Sequence, residues 1–304
     1  MNGEQKRELK FREDGSFTIL QLTDMHYGDD KPEDREQDGR TAALVSRLIA
    51  EAQPDLVVLT GDMIWSQGVP DPQASFRRAI APVSSSGVPW AAVFGNHDAE
   101  AGVTREQLLA IQREDPNCLT EAGPADIGGV GNFVLQVRKA GTDAATLYFF
   151  DSGIEAPEPI GGYAWIQPDQ IHWYVEQSRR LSAEAGGPLP ALAFFHIPVP
   201  EYDEAWQSDT DLVGTKEERV ECPRVNTGLF GAMVQMGDVM GTFVGHDHDN
   251  DYCGTLHGIR LCYGRVTGYN CYGKLARGAR VIRMQAGSRS FETWIVEADG
   301  GAAP

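Results

Sequence analysis

The stretch FTILQLTDMH, residues 17–26, joins an apolar run to residues that can bind metal ions. A short apolar run bounded by polar residues is typical of a buried strand. The stretches DLVVLTGD at 55–62 and PWAAVFGNHD at 89–98 repeat this arrangement, and amphipathic helix patterns at 34–53 and 70–87 lie between the three. The alternation of strands and helices predicts that these strands are parallel neighbours in one sheet.

The rest of the chain predicts more strands and two more helices. The strands are expected at 132–138, 145–153, 190–198, 239–247, 258–265, 279–285 and 291–298, and the helices at 167–185 and about 227–237. No internal repeat and no low-complexity linker divides the chain. We therefore predict a single α/β domain that spans residues 1–304.

The net charge limits the classes of partner. The chain has 26 basic and 44 acidic residues, and 26 − 44 gives −18. An acidic surface repels polyanions, so nucleic acid and anionic membranes are poor partners unless a bound cation reverses the local field. We expect a small substrate and no nucleic-acid or membrane partner.

The predicted compartment is the cytoplasm. We find no apolar signal segment near the N-terminus and no run of 18 apolar residues that would span a membrane. The five cysteines are odd in number and have no CxxC spacing. This pattern argues against a disulfide framework and predicts free thiols in a reducing environment.

Residue types that bind metals follow five of the predicted strands. They are Asp24, His26, Asp62, Asn96, His97, Asp98, His196, His246 and His248. Each motif alone has a common structural explanation, such as a turn, a helix cap or a core histidine. Because ligands bind beyond the carboxyl ends of strands in open α/β sheets, we expect these side chains to meet. Carboxylate, imidazole and amide groups suit hard or borderline divalent ions.

The number of these groups fits two ions. Asp24, His26, His248 and a shared Asp62 would hold one ion, and Asp62, Asn96, His196 and His246 would hold the other. A bridging carboxylate is the feature that keeps two cations about 3.5–4 Å apart. His97 is then free to handle a proton.

The order of these motifs resembles that of the calcineurin-like metallophosphoesterases. The motifs are DxH at 24–26, GD at 61–62, GNHD at 95–98, a lone histidine at 196 and GHDH at 245–248. The surrounding residues are most similar to the small branch of purple-acid-phosphatase-like proteins. This resemblance implies a four-layer αββα sandwich with mixed sheets, the two ligand sets given above, and a dinuclear centre of manganese, iron or zinc.

Two departures from related groups stand out. Purple acid phosphatases have an iron-ligating tyrosine three residues after the GD aspartate, where this chain has Trp65. Trp65 cannot ligate iron, so we expect a colourless protein. The segment GDMIWSQG also lacks the phosphate-binding arginine that protein serine/threonine phosphatases have after their GD motif.

The resemblance implies a hydrolase of phosphate esters. A metal-bridged hydroxide would attack phosphorus, and His97, oriented by Asp98, would donate a proton to the leaving group. We predict that Arg265 clamps the phosphate. We also predict that residues 199–226 form a lid or substrate wall containing Tyr202 and Asn226.

The class of ester is open. A monoester is favoured, and a phosphodiesterase with the same ligands is the alternative. A nuclease is disfavoured because its substrate backbone needs a basic track. A scaffold without catalytic activity is also disfavoured, because the complete set of ligand residues is present.

Overall fold

The computed structural model describes residues 7–28 and 31–303, which form two β-sheets and six α-helices. The strands are β1 (Leu9–Lys10), β2 (Ser16–Leu22), β3 (Leu56–Thr60), β4 (Trp90–Val93), β5 (Phe133–Lys139), β6 (Thr142–Phe149), β7 (Ala191–Phe194), β8 (Val239–Val244), β9 (Cys253–Leu256), β10 (Ile259–Tyr263), β11 (Gly278–Gln285), β12 (Phe291–Glu297) and β13 (Ala302–Ala303). The helices are α1 (Pro32–Ala52), α2 (Pro72–Ser86), α3 (Arg105–Gln112), α4 (Pro168–Ala185), α5 (Glu201–Ser208) and α6 (Leu229–Met236).

Both sheets are mixed. In the first sheet, which has the order β13-β12-β11-β2-β3-β4, strands β2, β3 and β4 are parallel, as predicted. Strand β11 is antiparallel to β2, and β12 is antiparallel to β11. The second sheet has the order β1-β5-β6-β7-β8-β10-β9, and β6, β7, β8 and β10 are parallel in it.

The alternation of side chains along the strands builds four layers. On β3, Leu56 and Val58 face the second sheet and pack with residues of β6 and β7, whereas Val57 and Leu59 pack with α1 and α2. On the far side of the second sheet, Tyr148 and its neighbours pack with α4 and α6. The order helix, sheet, sheet, helix confirms the predicted αββα sandwich.

Several elements were absent from the sequence prediction. These are the short strands β1, β9 and β13 and the helices α3 and α5. Helix α3 begins after Thr104, whose hydroxyl accepts a hydrogen bond from the amide of Gln107. Its Gln107 side chain in turn accepts a hydrogen bond from the amide of Thr104, which completes a capping box.

The prediction of unpaired thiols is wrong for two cysteines. Cys253 on β9 faces Cys262 on β10, and the two form a buried disulfide. Nine positions separate the two cysteines, and this spacing matches no cysteine motif. They meet because β9 and β10 pair as an antiparallel hairpin. Cys118, Cys222 and Cys271 are free. The cytoplasmic location stays a prediction.

Among the helices in the described ranges, none combines the length and the apolar character needed to cross a membrane.

Candidate metal centre

The predicted ligands meet at the carboxyl ends of five strands. Asp24 and His26 follow β2, Asp62 follows β3, and Asn96 follows β4, all in the first sheet. The remaining ligands follow β7 and β8 in the second sheet, and they are His196, His246 and His248. All seven side chains are buried.

One group of ligands consists of Asp24, His26 and His248. Their ligand atoms lie within 4.8 Å of one another. Oδ1 of Asp24 is 3.4 Å from Nε2 of His248 and 4.0 Å from Nε2 of His26.

A second group consists of Asp62, His196 and His246, whose ligand atoms also lie within 4.8 Å of one another. Nε2 of His196 is 3.1 Å from Oδ2 of Asp62 and 3.3 Å from Nδ1 of His246. Oδ1 of Asn96 is 3.1 Å from the same His196 nitrogen, so Asn96 lies where the prediction put it.

Asp62 lies between the two groups. Its Oδ2 is 3.1 Å from Nε2 of His196 and 3.6 Å from Nε2 of His26. Its Oδ1 accepts a hydrogen bond from the amide of His97 at 2.8 Å. This position fits a carboxylate shared by two cations.

Glycines leave room for this carboxylate and for Asp24. A Cβ atom on Gly95 would lie 2.1 Å from Oδ1 of Asp62. A Cβ atom on Gly245 would lie 2.0 Å from Oγ1 of Thr23 and 2.7 Å from Oδ2 of Asp24. The glycines of the GNHD and GHDH motifs are therefore required by the close approach of neighbouring loops.

Backbone carbonyl groups orient two of the imidazoles. Nδ1 of His196 is 2.8 Å from the carbonyl oxygen of Thr60, and Nδ1 of His248 is 3.1 Å from that of Tyr272. Because a carbonyl oxygen only accepts hydrogen bonds, each Nδ1 carries a proton. Each Nε2 therefore faces the carboxylates and is available as a ligand atom.

The remaining imidazoles test whether metal ions fit the site. Nε2 of His26 and Nε2 of His246 are buried and have no hydrogen-bond partner among residues 7–28 and 31–303. Burial lowers the pKa of both histidines to about 3, so both rings are uncharged near neutral pH. Nε2 of His26 lies 3.6 Å from Oδ2 of Asp62 and 4.0 Å from Oδ1 of Asp24, and a buried, neutral and unpaired imidazole nitrogen beside carboxylates suits a metal ligand. In His246 the nitrogen that faces the other ligands is Nδ1, 3.3 Å from Nε2 of His196. The donor set fits two cations.

His97 contacts a different carboxylate from the one predicted. Asp98 is buried, and its two oxygens accept hydrogen bonds from the backbone amides of Asp62, Ile64 and Gly95. The prediction that Asp98 orients the imidazole is therefore wrong, since its oxygens shape the loops instead. Nδ1 of His97 lies 2.9 Å from Oε1 of Glu100. Glu100 follows His97 by three residues, and this spacing was the one signal for it in the sequence.

The predicted phosphate clamp is also wrong. Arg265 is 3% exposed. Its guanidinium pairs with Asp251, lies 3.1 Å from the carboxylate of Glu297, and donates a hydrogen bond to the carbonyl of Ala276. These buried partners leave Arg265 unable to reach a substrate.

The two predicted substrate contacts differ in outcome. Tyr202 is fully buried in the core beside the second sheet, and its hydroxyl group lies 2.8 Å from that of Thr242. The prediction that Tyr202 binds substrate is therefore wrong. Asn226 is exposed and donates a hydrogen bond to Glu201 at 2.8 Å, so its role in substrate binding stays a prediction.

The acidic and amide residues around the GHDH motif bind backbone rather than metal. Oδ1 of Asp251 accepts a hydrogen bond from the amide of Thr215, and Oδ1 of Asn250 accepts from the amides of Glu217 and Glu218. Oδ2 of Asp247 accepts from the amide of Glu221. Residues 215–221 are thus fastened to the metal-binding loop, which favours a fixed wall over an opening lid.

Two tyrosines beside the site escaped sequence analysis because nothing in their local pattern marks them. The ring of Tyr272 stacks on that of His248 with centroids 4.0 Å apart, and Tyr272 is 57% exposed. The ring of Tyr163 meets His246 edge-on at 4.3 Å. Trp65 is 49% exposed, and its indole covers Gly68. Aromatic surface therefore flanks the imidazoles.

Comparison with known proteins places the chain in a family. The model for calcineurin-like phosphoesterases matches residues 17–250, which contain all seven proposed ligands. The chain belongs to the calcineurin-like phosphoesterase family. It therefore belongs to a family of dimetal phosphoesterases, and it carries two groups of candidate ligands.

Three proteins are similar to this chain in sequence or in fold. A protein of Arabidopsis thaliana named probable inactive purple acid phosphatase 29 is 37% identical, over 95% of this chain and 82% of its own length. The phosphatase DCR2 of Saccharomyces cerevisiae is 33% identical, over 95% of this chain and 55% of its own. A dimetal phosphatase from Danio rerio is 13% identical with a TM-score of 0.59, over 91% of this chain and 98% of that one. The last match supports the fold alone.

Proposed function

We propose that this protein hydrolyses small phosphate esters with two metal ions and prefers monoesters. The observation that carries the proposal is the pair of buried ligand groups joined at Asp62, with His97 beside them. Such a constellation suits in-line displacement at phosphorus, which needs charge neutralisation more than covalent chemistry.

The metals would be held by Asp24, His26, His248 and Asp62 on one side and by Asp62, Asn96, His196 and His246 on the other. Two bound cations at such a site polarise phosphoryl oxygens and lower the pKa of water. Thr60 and Tyr272 keep two of the imidazoles in the tautomer that ligates. His97, partly exposed and held by its amide on Asp62, is positioned to donate a proton to the leaving oxygen.

The names of the relatives point in two directions. The Arabidopsis protein is named as inactive, and the yeast protein is named as a phosphatase. Proteins of this fold that have lost activity are expected to lack some ligand residues or the histidine that transfers protons. This chain has all seven ligand residues and His97, which supports a catalytic role over a scaffold.

The preference for monoesters rests on charge. The overall charge of −18 disfavours long polyanions such as nucleic acids, so we propose a small substrate. A monoester dianion gains more from two cations than a diester with one charge less. Arg265 pairs with Asp251 and Glu297 and does not contribute to this preference, so a phosphodiesterase is the second candidate.

The test compares p-nitrophenyl phosphate with bis(p-nitrophenyl) phosphate after loading with Mn²⁺, Zn²⁺ or Fe²⁺. We expect a higher kcat/KM for the monoester and no activity after chelation. If the bis-ester is preferred tenfold or more, about 1.4 kcal/mol of transition-state preference, the phosphodiesterase replaces the monoesterase. Absence of both activities in a protein that holds two ions would support the scaffold.

A further inference from the structure

A carboxylate that no motif marks lies against the imidazole of His97. Oε1 of Glu100 is 2.9 Å from Nδ1 of His97, an ion-pair distance at which the two groups are not aligned as a hydrogen bond, and the two side chains are 19% and 34% exposed. The ring centroid of His97 is 5.3 Å from that of the proposed ligand His26. His97 therefore has a carboxylate at one ring nitrogen and lies beside the metal centre.

The backbone at both residues is fixed by Ser66. The hydroxyl of Ser66 donates a hydrogen bond to the carbonyl of His97 at 2.7 Å and accepts one from the amide of Glu100 at 2.8 Å. The amide of Ser66 also donates to the carbonyl of His97, at 2.9 Å. Ser66 is 2% exposed, so solvent does not compete for these bonds.

The amide of His97 supplies a further restraint, since it donates to Oδ1 of Asp62 at 2.8 Å. The approach of Glu100 to His97 is therefore set by a loop held at three backbone positions. Two exposed side chains on a helix surface would have no such restraint on their relative position.

Another histidine of this chain provides the contrast. Nε2 of His172 lies 3.2 Å from Oε1 of Glu176 on α4, but these side chains are 74% and 61% exposed. Exposed pairs at helical spacing contribute little because water screens them and side-chain entropy opposes them. The pair of His97 and Glu100 is more buried, more restrained and next to the proposed ligands.

A carboxylate accepts hydrogen bonds and donates none when it is ionised. Beside Nδ1 it selects the tautomer with the proton on Nδ1 and leaves the lone pair, or the transferable proton, on Nε2.

We propose that Glu100 is the positioning residue for His97: it holds Nδ1–H and presents Nε2 to the leaving oxygen of the substrate. This proposal rests on the proposed function for the proton transfer, but the contact itself stands without it. When Nε2 carries a second proton, taken from solvent, that proton passes to the leaving oxygen as the bond from phosphorus to the leaving oxygen breaks and the oxygen of the attacking water bonds to phosphorus. The ring is left neutral, with Nδ1–H still beside Glu100.

The first experiment reads the tautomer directly. Long-range ¹H–¹⁵N NMR of the histidine rings would be recorded for metal-free and Zn²⁺-loaded protein at one neutral pH, with His97 assigned from a His97→Ala sample. We expect the Nδ1-protonated tautomer in the wild type. Glu100→Ala and Glu100→Asp should both lose it, the second because a shorter side chain withdraws the oxygen while keeping the charge. Glu176→Ala should leave the His97 signals unchanged.

The second experiment separates positioning from binding. In Glu100→Ala we expect kcat to fall by about 10–100-fold, the range typical of removing a carboxylate behind a functional imidazole, with KM nearly unchanged. The loss should be larger for an alkyl phosphate than for p-nitrophenyl phosphate, whose leaving group needs less protonation. Metal content should match the wild type, and Glu176→Ala should match it in every respect.

The proposal is overturned if folded Glu100→Ala retains both the His97 tautomer and kcat. If the alanine variant does not fold, the same comparison is decided by Glu100→Asp. If the wild type hydrolyses no phosphate ester, the proposed function fails, and the NMR comparison still decides whether Glu100 sets the tautomer.

Discussion

Four of the proposed ligands have a left-handed backbone that residues other than glycine rarely adopt. The φ angles are 53° for Asp24, 45° for His26, 52° for Asp62 and 79° for His246. Such conformations cost on the order of 1–3 kcal/mol each and cluster at functional sites. Here they turn the backbone sharply after β2, β3 and β8, so that these side chains point toward the other ligands.

His97 should take part in proton transfer and should not be needed to bind the metal ions. His97→Ala should retain wild-type metal content while kcat falls by about 10²–10⁴-fold, the usual contribution of a positioned acid or base. Metal analysis and steady-state kinetics on good and poor leaving groups measure this. An equal loss on both kinds of substrate would point to electrostatic stabilisation, and full activity would remove His97 from the mechanism.

Asp62 should affect both ions together, because its Oδ2 lies within 3.6 Å of ligand nitrogens from both groups. We expect Asp62→Asn to lower the occupancy of both sites, measured by elemental analysis after reconstitution. Asp238→Asn is the matched control, since Asp238 is also buried but binds the hydroxyls of Tyr148 and Tyr174. Loss of one ion alone in Asp62→Asn would contradict the bridging role.

At the scale of elements, residues 215–221 are held by side chains of the metal-binding loop. Oδ1 of Asn250 accepts hydrogen bonds from the amides of Glu217 and Glu218 at 3.1 and 3.2 Å, and Asn250 is fully buried. Acidic and amide residues crowd around the ligand histidines of the GHDH motif in the sequence. Most of them fasten a neighbouring segment.

We expect Asn250→Ala to speed hydrogen exchange in residues 215–221 without loss of metal. The amide of Glu218 would lose its acceptor, and the amide of Glu217 would keep only the carbonyl oxygen of Asp249. Each hydrogen bond removed contributes about 0.5–1.5 kcal/mol. Asn226→Ala is the control, because Asn226 is exposed and its amide group contacts Glu201 instead. Unchanged exchange in Asn250→Ala would mean that other contacts hold the segment.

The accuracy of the sequence prediction follows from what periodicity encodes. Strands such as β2 and β3 were predicted because buried strands appear in the sequence as apolar runs. Helices such as α1 were predicted because their buried face appears as a periodic apolar pattern. Helix α5 was missed because it lies in a polar segment and buries only Tyr202 and Ala205. Side-chain direction was predicted worst, and Arg265 is the clearest case: its partner Glu297 is distant in the chain.

At the scale of the whole molecule, each ligand group draws on both sheets. His248 joins Asp24 and His26, and His196 and His246 join Asp62 and Asn96. The bound ions would therefore connect the two sheets at their common edge, and one of them would also satisfy the unpaired Nε2 of His26.

Removal of metal should accordingly lower thermal stability. Ions that bind the folded state and not the unfolded chain stabilise by about 2.7 kcal/mol when their free concentration is 100 times Kd. We expect calorimetry to show a lower Tm after chelation and recovery on adding Mn²⁺ or Zn²⁺. The Asp62→Asn variant should show a smaller shift, and an identical shift in that variant would indicate binding elsewhere.

Because the ligands come from both sheets, the complete metal site can form only at a late stage of folding. The amide of His246 donates to the carboxylate of Asp24 across 222 residues of chain, so this part of the site exists only when these two segments have come together. Closing so long a loop is entropically costly, and neither ligand group is complete until it is closed. Metal uptake is then a late event in folding, and the ions should slow unfolding while leaving the folding rate unchanged.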